Sequence, residues 1–489
     1  MCGYPPGKCI NKYSGVHALW MRLMSDKTVQ CISPVDGALY AERPLASKDD
    51  IARACRAARA AQAGWRSLSV TGRGEYCTRA VDALLGMADT IVPELAWQMG
   101  RPIAYGQGEL NGLEERARHM IAIAGDALAD IVPEPKPGFT RYIAREPLGI
   151  VFTIAPWNYP FLTAVNSIIP ALMAGNAVLL KHARQTLLVG ERFAQGFEAA
   201  GLPEGLFHNL ILSHGQTGEL ISGGHVDMVC FTGSVPGGAA MEKAATGQFI
   251  PIGLELGGKD PAYVRADAAL GNAVENLVDG AFFNSGQSCC GVERIYVHED
   301  LFDDFVRGFV ELTRHYVLGD PLDEATTLGP MVNGEAADFV RSQIDAAVRA
   351  GATAHIDEST FGKNKAGTPY LAPQVLTGVD HKMAVMREES FGPVVGIMSV
   401  RGDEEAIALM NDSPFGLTAS IWTQDENAAA TIAGQVNTGT VYMNRCDYLD
   451  PALAWTGIGD SGRGCTLSKV GYEHLTRPKS FHFRVDMGA

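Results

Sequence analysis

The sequence predicts an α/β protein: two parallel-sheet, Rossmann-like α/β domains with a small β arm. Three observations carry that prediction. From about residue 148 onward, short β-branched runs alternate with amphipathic helical stretches, the pattern of parallel strands joined by crossover helices. The chain has 489 residues, more than one hydrophobic core commonly serves, so at least two domains are expected. FTGSVPGG at 231–238 sets a glycine-rich turn between an apolar strand and a helix.

Taken in order, residues 1–26 stand apart. They have no clear period, carry two cysteines and a Pro5-Pro6 pair, and run into Met24-Ser-Asp-Lys, which would make a natural start. They are read as a disordered extension or as an upstream misreading of the start codon. DDIARACRAARAAQAGWRSL at 49–68 reads as a helix capped by Asp49 or Asp50, with Ile51, Ala54, Ala58, Ala61 and Trp65 on one apolar stripe. Two more helices are expected within 73–99 and 109–130. TRYIAREPLGIVFTIAPWNYP then gives two strands parted by Pro147-Leu-Gly149. Helices near 164–174, 186–200 and 235–246 alternate with the strands NAVLLK, GLFHNLIL, HVDMVCFTG and PIGLELGG. AYVRA, ERIYVH, PVVGIMSV and TASIWT continue the style as a second α/β unit. There is no internal repeat and no low-complexity segment.

Composition narrows the function classes. Lys and Arg number 40 against 55 Asp and Glu, a net charge of −15 spread along the chain, which argues against nucleic acid and anionic membranes as partners. No apolar run reaches the roughly 18 residues of a membrane span, and the first residues lack the apolar core of a signal peptide. The ten cysteines form neither a zinc spacing nor a disulfide scaffold, so no metal site is expected and a reducing cytoplasm fits best.

Several short stretches carry chemistry. In FTGSVPGG, Gly233, Ser234 and Gly238 frame either a plain tight turn or a cradle of backbone N–H groups at a helix start for a pyrophosphate. Lys181, closing the strand LLK, is either a surface lysine or a partner for a ribose or phosphate on the ligand side of an open sheet. FFNSGQSCCGVER at 282–294 holds Cys289 and Cys290 side by side; a thiolate is a strong nucleophile once a base or a lowered pKa activates it. Glu255 in GLELGGK sits among Leu254, Leu256 and two glycines, where desolvation would lift its pKa toward neutrality and suit a general base; a capping or salt-bridged glutamate is the alternative. Asn158 in APWNYP is either an ordinary turn residue or an amide donor to an oxyanion.

Together these motifs make the chain, from about residue 27 to its end, resemble an aldehyde dehydrogenase. PWNYP, LLK, FTGS, LELGGK, NSGQSCC, EESFGP and the late DSGRG occur in the family's order over some 460 residues, and the interval 289 − 255 = 34 matches the family's base-to-nucleophile interval. The resemblance implies Cys289 as nucleophile, Glu255 as base and Asn158 as oxyanion donor, with Cys290 a small buried neighbour or a partner for Cys289 in an oxidised, regulatory bond. It implies NAD or NADP as cofactor, held by Ile154, Pro156, Trp157, Lys181, Arg184, Gly233, Ser234, Gly238, Leu256, Gly257, Glu389 and Phe391. The product would be a carboxylic acid. Relatives that pass the acyl group to coenzyme A tend to lack the glutamate; that chemistry, or a non-catalytic protein on this fold, is the alternative. The resemblance further implies a dinucleotide domain over 27–128 and 148–257, a catalytic domain over 258–460, and an oligomerisation arm from 129–147 and 475–486 that would make a homodimer or homotetramer.

Two segments depart from the family pattern. KHAR places Arg184 where many NAD-preferring relatives carry a glutamate for the ribose hydroxyls; arginine could pair with a 2′-phosphate, so NADP is expected to be accepted. The substrate loop MNRCDYLDPALAWTG at 443–457 offers Trp455, with Tyr159, as a tunnel wall. Arg445 could meet the carboxylate of a semialdehyde, Asp447 and Asp450 could favour an aminoaldehyde, or these charges pair with one another at the surface.

Overall fold

The computed structural model describes residues 27–487; the expectation for residues 1–26 lies outside them. Local signals set most element boundaries. The first helix, Lys48–Trp65, starts one step earlier than its acidic pair suggests. Ser47 is the cap, its hydroxyl accepting the Asp50 N–H at 3.1 Å while the Asp50 carboxylate accepts the Ser47 N–H at 2.9 Å. Asp50 thus closes a capping box rather than capping the helix itself. Ala54, Ala58 and Trp65 are buried as expected, with Cys55 and Gln62, whereas Ile51 and Ala61 are only half-buried. The two helices expected in 73–99 and 109–130 are three: Val70–Leu85, Ala88–Met99 and Ile103–Ala127. Gly86 ends the first, Gly100 at φ 82° ends the second, and Pro102 precedes the third.

A six-stranded sheet follows the order Gly462–Arg463, Ile252–Glu255, Met228–Thr232, Ile150–Ile154, Ala177–Lys181, Phe207–Asn209. Every pairing is parallel except that of Gly462–Arg463. The chain enters at Ile150–Ile154, steps outward twice, and returns on the other side of its starting strand at Met228–Thr232. That reversal opens a crevice at the carboxyl ends of these two strands. All five residues of Ile150–Ile154 are buried, as a strand covered by helices on both faces must be.

A seven-stranded sheet runs Thr353–Ala354, Gln374–Thr377, Val394–Val400, Val292–His298, Asp260–Val264, Thr418–Trp422, Thr440–Met443, parallel but for its first pair. Separate hydrophobic clusters cover its two faces, one built on Ile295, Val297 and Phe309, the other on Tyr263, Tyr296 and Ile421. Only residues 256–259 join the last parallel strand of the first sheet to the first strand of the second.

Phe139–Pro147 and Thr476–Arg484 form a two-stranded antiparallel ribbon, with Tyr142 and Phe481 stacked at 4.5 Å. The strand expected from residue 129 begins only at Phe139. Upstream of it, Ile131 makes an isolated bridge to Ile143, because Pro133, Pro135 and Pro137 remove ladder donors. Among the described residues, no helix is long and apolar enough to cross a membrane.

Lys259 and Glu293 form a buried ion pair. The Glu293 carboxylate also accepts the N–H groups of Ser390 and Phe391, each at 2.9 Å, and the Lys259 ammonium donates to the Ser390 hydroxyl at 3.1 Å. Removing one partner leaves a charge in a dry interior. Glu293→Ala is expected to destabilise the protein by roughly 3–5 kcal/mol, read as a lowered urea midpoint. An equal midpoint in the variant would refute this account of the pair.

Candidate active site

Cys289 stands on the turn between the helix Leu270–Phe282 and the strand Val292–His298. Three consecutive residues before it adopt left-handed backbone: Asn284 at φ 53°, Ser285 at φ 57° and Gly286 at φ 68°. Two non-glycine residues in that region cost energy and persist only where surroundings enforce them. Here the surroundings are explicit. The Ser285 hydroxyl donates to the Gly329 carbonyl at 2.8 Å, and the Gln287 side-chain oxygen accepts the Val332 N–H at 2.7 Å. A Cβ on Gly286 would run into the Gly392 carbonyl. The turn is therefore held by segments 40 to 110 residues further along the chain and, from upstream, by Arg101 and Asn158.

The two cysteines differ sharply. Cys289 is half-buried and faces a cavity of about 430 Å³. Cys290 is 3% exposed, and its thiol donates to an Asp447 carboxylate oxygen at 2.8 Å. Its hydrogen bond with Cys289, burial and the facing carboxylate push the Cys290 thiol well up from its ordinary pKa. A thiol held protonated is a poor nucleophile, so Cys289 is the one of the pair placed to react.

Glu255 ends the strand Ile252–Glu255 and lines the same cavity as Cys289. Burial raises its carboxyl pKa, opposed by hydroxyl donors on both oxygens: Thr466 at 2.6 Å and Thr232 at 3.1 Å. Asn158 is buried on the turn after Ile150–Ile154. Its carbonyl accepts from Arg101 at 2.6 Å, and its side-chain amide donates to the Gln287 carbonyl at 3.0 Å, two residues before Cys289. Asn158 is not among the residues lining the large cavity; it is tied instead to the backbone of the cysteine turn.

The cofactor candidates gather around the sheet reversal. Ile154 pairs in register with Lys181, and Pro156 and Trp157 follow on the crevice rim. Burial lowers the Lys181 ammonium to about 8, and it makes no hydrogen bond or ion pair among the described residues. The Gly233 N–H donates to the Glu255 carbonyl at 3.0 Å, and Ser234 caps the helix Val235–Ala245 by accepting the Gly237 N–H at 3.3 Å. A Cβ on Gly238 would sit 2.7 Å from Leu256 Cδ2, so helix and strand pack closely there. Gly257 leaves the space that the Glu389 carboxylate fills; Glu389 accepts the Gly258 N–H at 2.9 Å and is pushed up to about 7, first by burial and then by the like charge of Glu293. Phe391, at φ 49°, meets Trp157 edge-on at 5.7 Å. Arg184 is exposed and lines a separate cavity of about 930 Å³ with the strand Thr28–Ile32, the turn after it and residues 332–335. Its charge and that of Lys181 both act on His214, though burial is the larger cause of that histidine's lowered pKa.

The loop 443–457 sorts its candidates. Trp455 and Tyr159 line the tunnel, as does Asp447, which burial pushes up to about 6. Arg445 does not: its guanidinium lies 3.5 Å from the Tyr448 ring centroid at the surface. Asp450 does not either, its carboxylate accepting the Ala452 N–H at 2.9 Å. Sequence reading missed Thr232, Thr466, Arg116 and Asn166 at this site. Thr466 lies 211 residues from the carboxylate it serves, and no local pattern signals such a pairing. Gln287 was within reach, since it belongs to the NSGQSCC motif itself.

Comparison with known proteins places these features. The model described as the aldehyde dehydrogenase family matches residues 20–481. An aldehyde dehydrogenase of Paenarthrobacter nicotinovorans is 36% identical over 431 residues, covering 86% of this chain and 92% of the relative. The succinate semialdehyde dehydrogenase (NAD(P)+) Sad of Escherichia coli K12 is 33% identical over 445 residues, covering 90% and 94%. The crystal structure of an NAD-dependent aldehyde dehydrogenase from Sinorhizobium meliloti superposes with a TM-score of 0.90 at 31% identity, covering 95% of this chain and 93% of that one.

The contrast between the two thiols is directly measurable. Iodoacetamide added to the folded protein at neutral pH is expected to alkylate Cys289 well before Cys290, with fragment-ion mass spectrometry assigning the label. Equal labelling of both would remove the distinction drawn from burial and from the Asp447 bond.

Proposed function

The chain belongs to the aldehyde dehydrogenase family, and from that premise we propose that it oxidises a small aldehyde to the carboxylic acid, with NAD or NADP, through a thioester on Cys289. One observation carries the reading: Cys289 and Glu255 line a single cavity of about 430 Å³, and Asn158 is tied to the cysteine's own turn.

The crevice suits a dinucleotide. The unpartnered, half-buried Lys181 ammonium answers a phosphate or ribose hydroxyl, and Gly233 and Ser234 open a helix whose N-terminus favours negative charge. Glu389 would hold the nicotinamide ribose, and Phe391 and Trp157 would flank the ring. The dinucleotide supplies the hydride acceptor; the chain's own residues do the rest. Cys289 attacks the aldehyde carbon, and the oxyanion is held by the Asn158 amide and the Cys289 N–H. Once the carbon has been oxidised, the acyl group remains as a thioester on Cys289. Glu255 then takes a proton from water, whose oxygen adds to the acyl carbon and releases the thiolate. A glutamate at this position favours water over coenzyme A as acyl acceptor.

Arg184 supports use of NADP, through a charged pair with a 2′-phosphate. Asp447 in the tunnel, with Arg445 outside it, supports an aldehyde with a donor-bearing or cationic tail over a carboxylate-bearing one. The exposed Phe483 and Val485 on and beside the two-stranded ribbon support assembly into a homo-oligomer. Eight free thiols among the described residues suit the cytoplasm.

Reduced-nicotinamide absorbance with NAD or NADP and a panel of aldehydes tests the reading, with turnover expected from the wild type and none from Cys289→Ala. Glu255→Gln is expected to keep one rapid equivalent of reduced cofactor per site and to lose roughly 10²–10⁴-fold in steady rate. Because burial raises the Glu255 pKa, the steady rate should fall as pH drops through that raised value. No burst and full turnover in Glu255→Gln would reject Glu255 as the base. Arg184→Glu is expected to cut kcat/KM for NADP roughly ten-fold and to spare NAD, a modest factor because Arg184 is exposed; equal effects on both cofactors would reject the 2′-phosphate role.

A further inference from the structure

Asn166 lies on the helix Pro160–Met173 and is 2% exposed. Its side-chain oxygen faces Arg116 Nη1 at 3.4 Å, and its Nδ2 has no hydrogen-bond partner among the described residues. The arginine fixes this orientation. Guanidinium has only donors, and Arg116 Nη1 is itself anchored on the Leu162 carbonyl at 2.8 Å. The amide must therefore turn its oxygen to Arg116 and its NH₂ group away.

That NH₂ group is itself buried, on a residue that borders reactive space. Asn166 lines the tunnel that holds Cys289 and Glu255, and it also lines a smaller chamber behind Glu255. Asn166, Glu255, Thr163 and Trp455 are common to both, and so form the partition between them. The Thr163 hydroxyl is already bonded to the Tyr159 carbonyl at 2.7 Å, and the Thr232 and Thr466 hydroxyls are bonded to Glu255. Of the partition's side-chain donors, the Asn166 NH₂ and the Trp455 indole N–H make no hydrogen bond among the described residues, and only the Asn166 NH₂ has its orientation set by Arg116. The small chamber has about 30 Å³ open to the centres of water molecules, room for roughly two. A buried amide donor without a partner is expensive to keep unless a ligand uses it.

We propose that Asn166, oriented by Arg116, holds the hydrolytic water against Glu255 and so serves deacylation and not acylation. This rests on the reading of Cys289 and Glu255 given above. The Asn166 N–H occupies one lone pair of the water. One O–H points to Glu255, and the second lone pair remains for the acyl carbon. As the carbon–oxygen bond forms, the proton passes to Glu255; the carbon–sulfur bond then breaks and the electron pair leaves on Cys289. Asn166 touches a reacting molecule, and Arg116 acts only through Asn166 as a positioning residue.

An activated ester, p-nitrophenyl acetate, tests this without any hydride step, because it acylates a thiolate directly and leaves only hydrolysis to follow. Stopped-flow release of nitrophenolate is to be compared for the wild type, Asn166→Leu, which keeps the shape, and Asn166→Ser, which restores a smaller donor. The expected result is an unchanged first equivalent in all three. The second phase should slow at least ten-fold in the leucine variant and recover in part with serine, while an acetyl adduct builds up on Cys289 by mass spectrometry. A second phase within two-fold of wild type overturns the proposal, as does a first phase that falls in step with the second. Should the leucine variant lose its thermal transition, the serine variant decides by the same two criteria. A wild type that forms no adduct on Cys289 overturns the reading of the nucleophile and this proposal with it. Slow aldehyde turnover beside normal ester hydrolysis would count against the dehydrogenase reading alone.

Discussion

Everything at the site depends on how closely the chain passes itself at Gly257 and Gly258. A Cβ at Gly258 would coincide with the Cys289 carbonyl, and one at Gly257 with the Glu389 carboxylate. Residues 256–259 are also the first link the chain makes between the two sheets. The same few bare backbone atoms therefore join the sheets, leave Glu255 at the end of one strand, and admit the cysteine turn from the far side. The Gly258 N–H, freed of any side chain, is what Glu389 binds. Remove the glycines and Glu255, Cys289 and Glu389 can no longer occupy one neighbourhood.

Around that crossing the protein buries several carboxylates and handles each differently. Glu255 receives two threonine hydroxyls and feels the Arg116 charge but forms no ion pair, so burial prevails and its pKa rises. Glu389 has one backbone donor and a like charge nearby, and it reaches about 7. Glu293 is paired with Lys259 and with two backbone N–H groups, and its work is structural: it holds Ser390 and Phe391 in a backbone form that Phe391, at φ 49°, would not adopt alone. Asp447 takes the thiol of Cys290 and the hydroxyl of Ser288. The Cys290 bond distinguishes the paired cysteines physically, since that thiol anchors the loop at 443–457 while Cys289 faces the cavity.

Much of this was legible in the sequence because it is written locally. FTGSVPGG is a strand, a turn and a helix within eight residues, and it folds as such because Gly233 and Gly238 allow close packing against Phe231 and Leu256. Motif order singled out Cys289 and Glu255, and the structure sets both on one cavity. What was not legible is set by distant contact. Ser47 outcompetes Asp49 and Asp50 as a cap because its hydroxyl and the Asp50 carboxylate can bond reciprocally. Arg445 and Asp447 are two residues apart, yet one stacks on Tyr448 at the surface and the other enters the tunnel, with Asp447 at φ 47°. No charge pattern distinguishes them. Arg116 and Asn166 read as ordinary helix residues until the helices Ile103–Ala127 and Pro160–Met173 are laid side by side.

The left-handed run Asn284–Ser285–Gly286 has a consequence for the making of the protein. Arg101 and Asn158 hold it from upstream, but Gly329, Val332 and Gly392, which it also needs, all lie downstream of Cys289. A nascent chain that has just emerged past residue 290 cannot hold the turn, because the segments that enforce it have not yet been synthesised. During translation the thiol is thus an ordinary cysteine on a flexible loop. It takes up its fixed position only after a further hundred residues have left the ribosome and packed. The oriented thiol is in this way a late product of assembly, and a truncated or stalled chain carries one that the downstream supports do not hold.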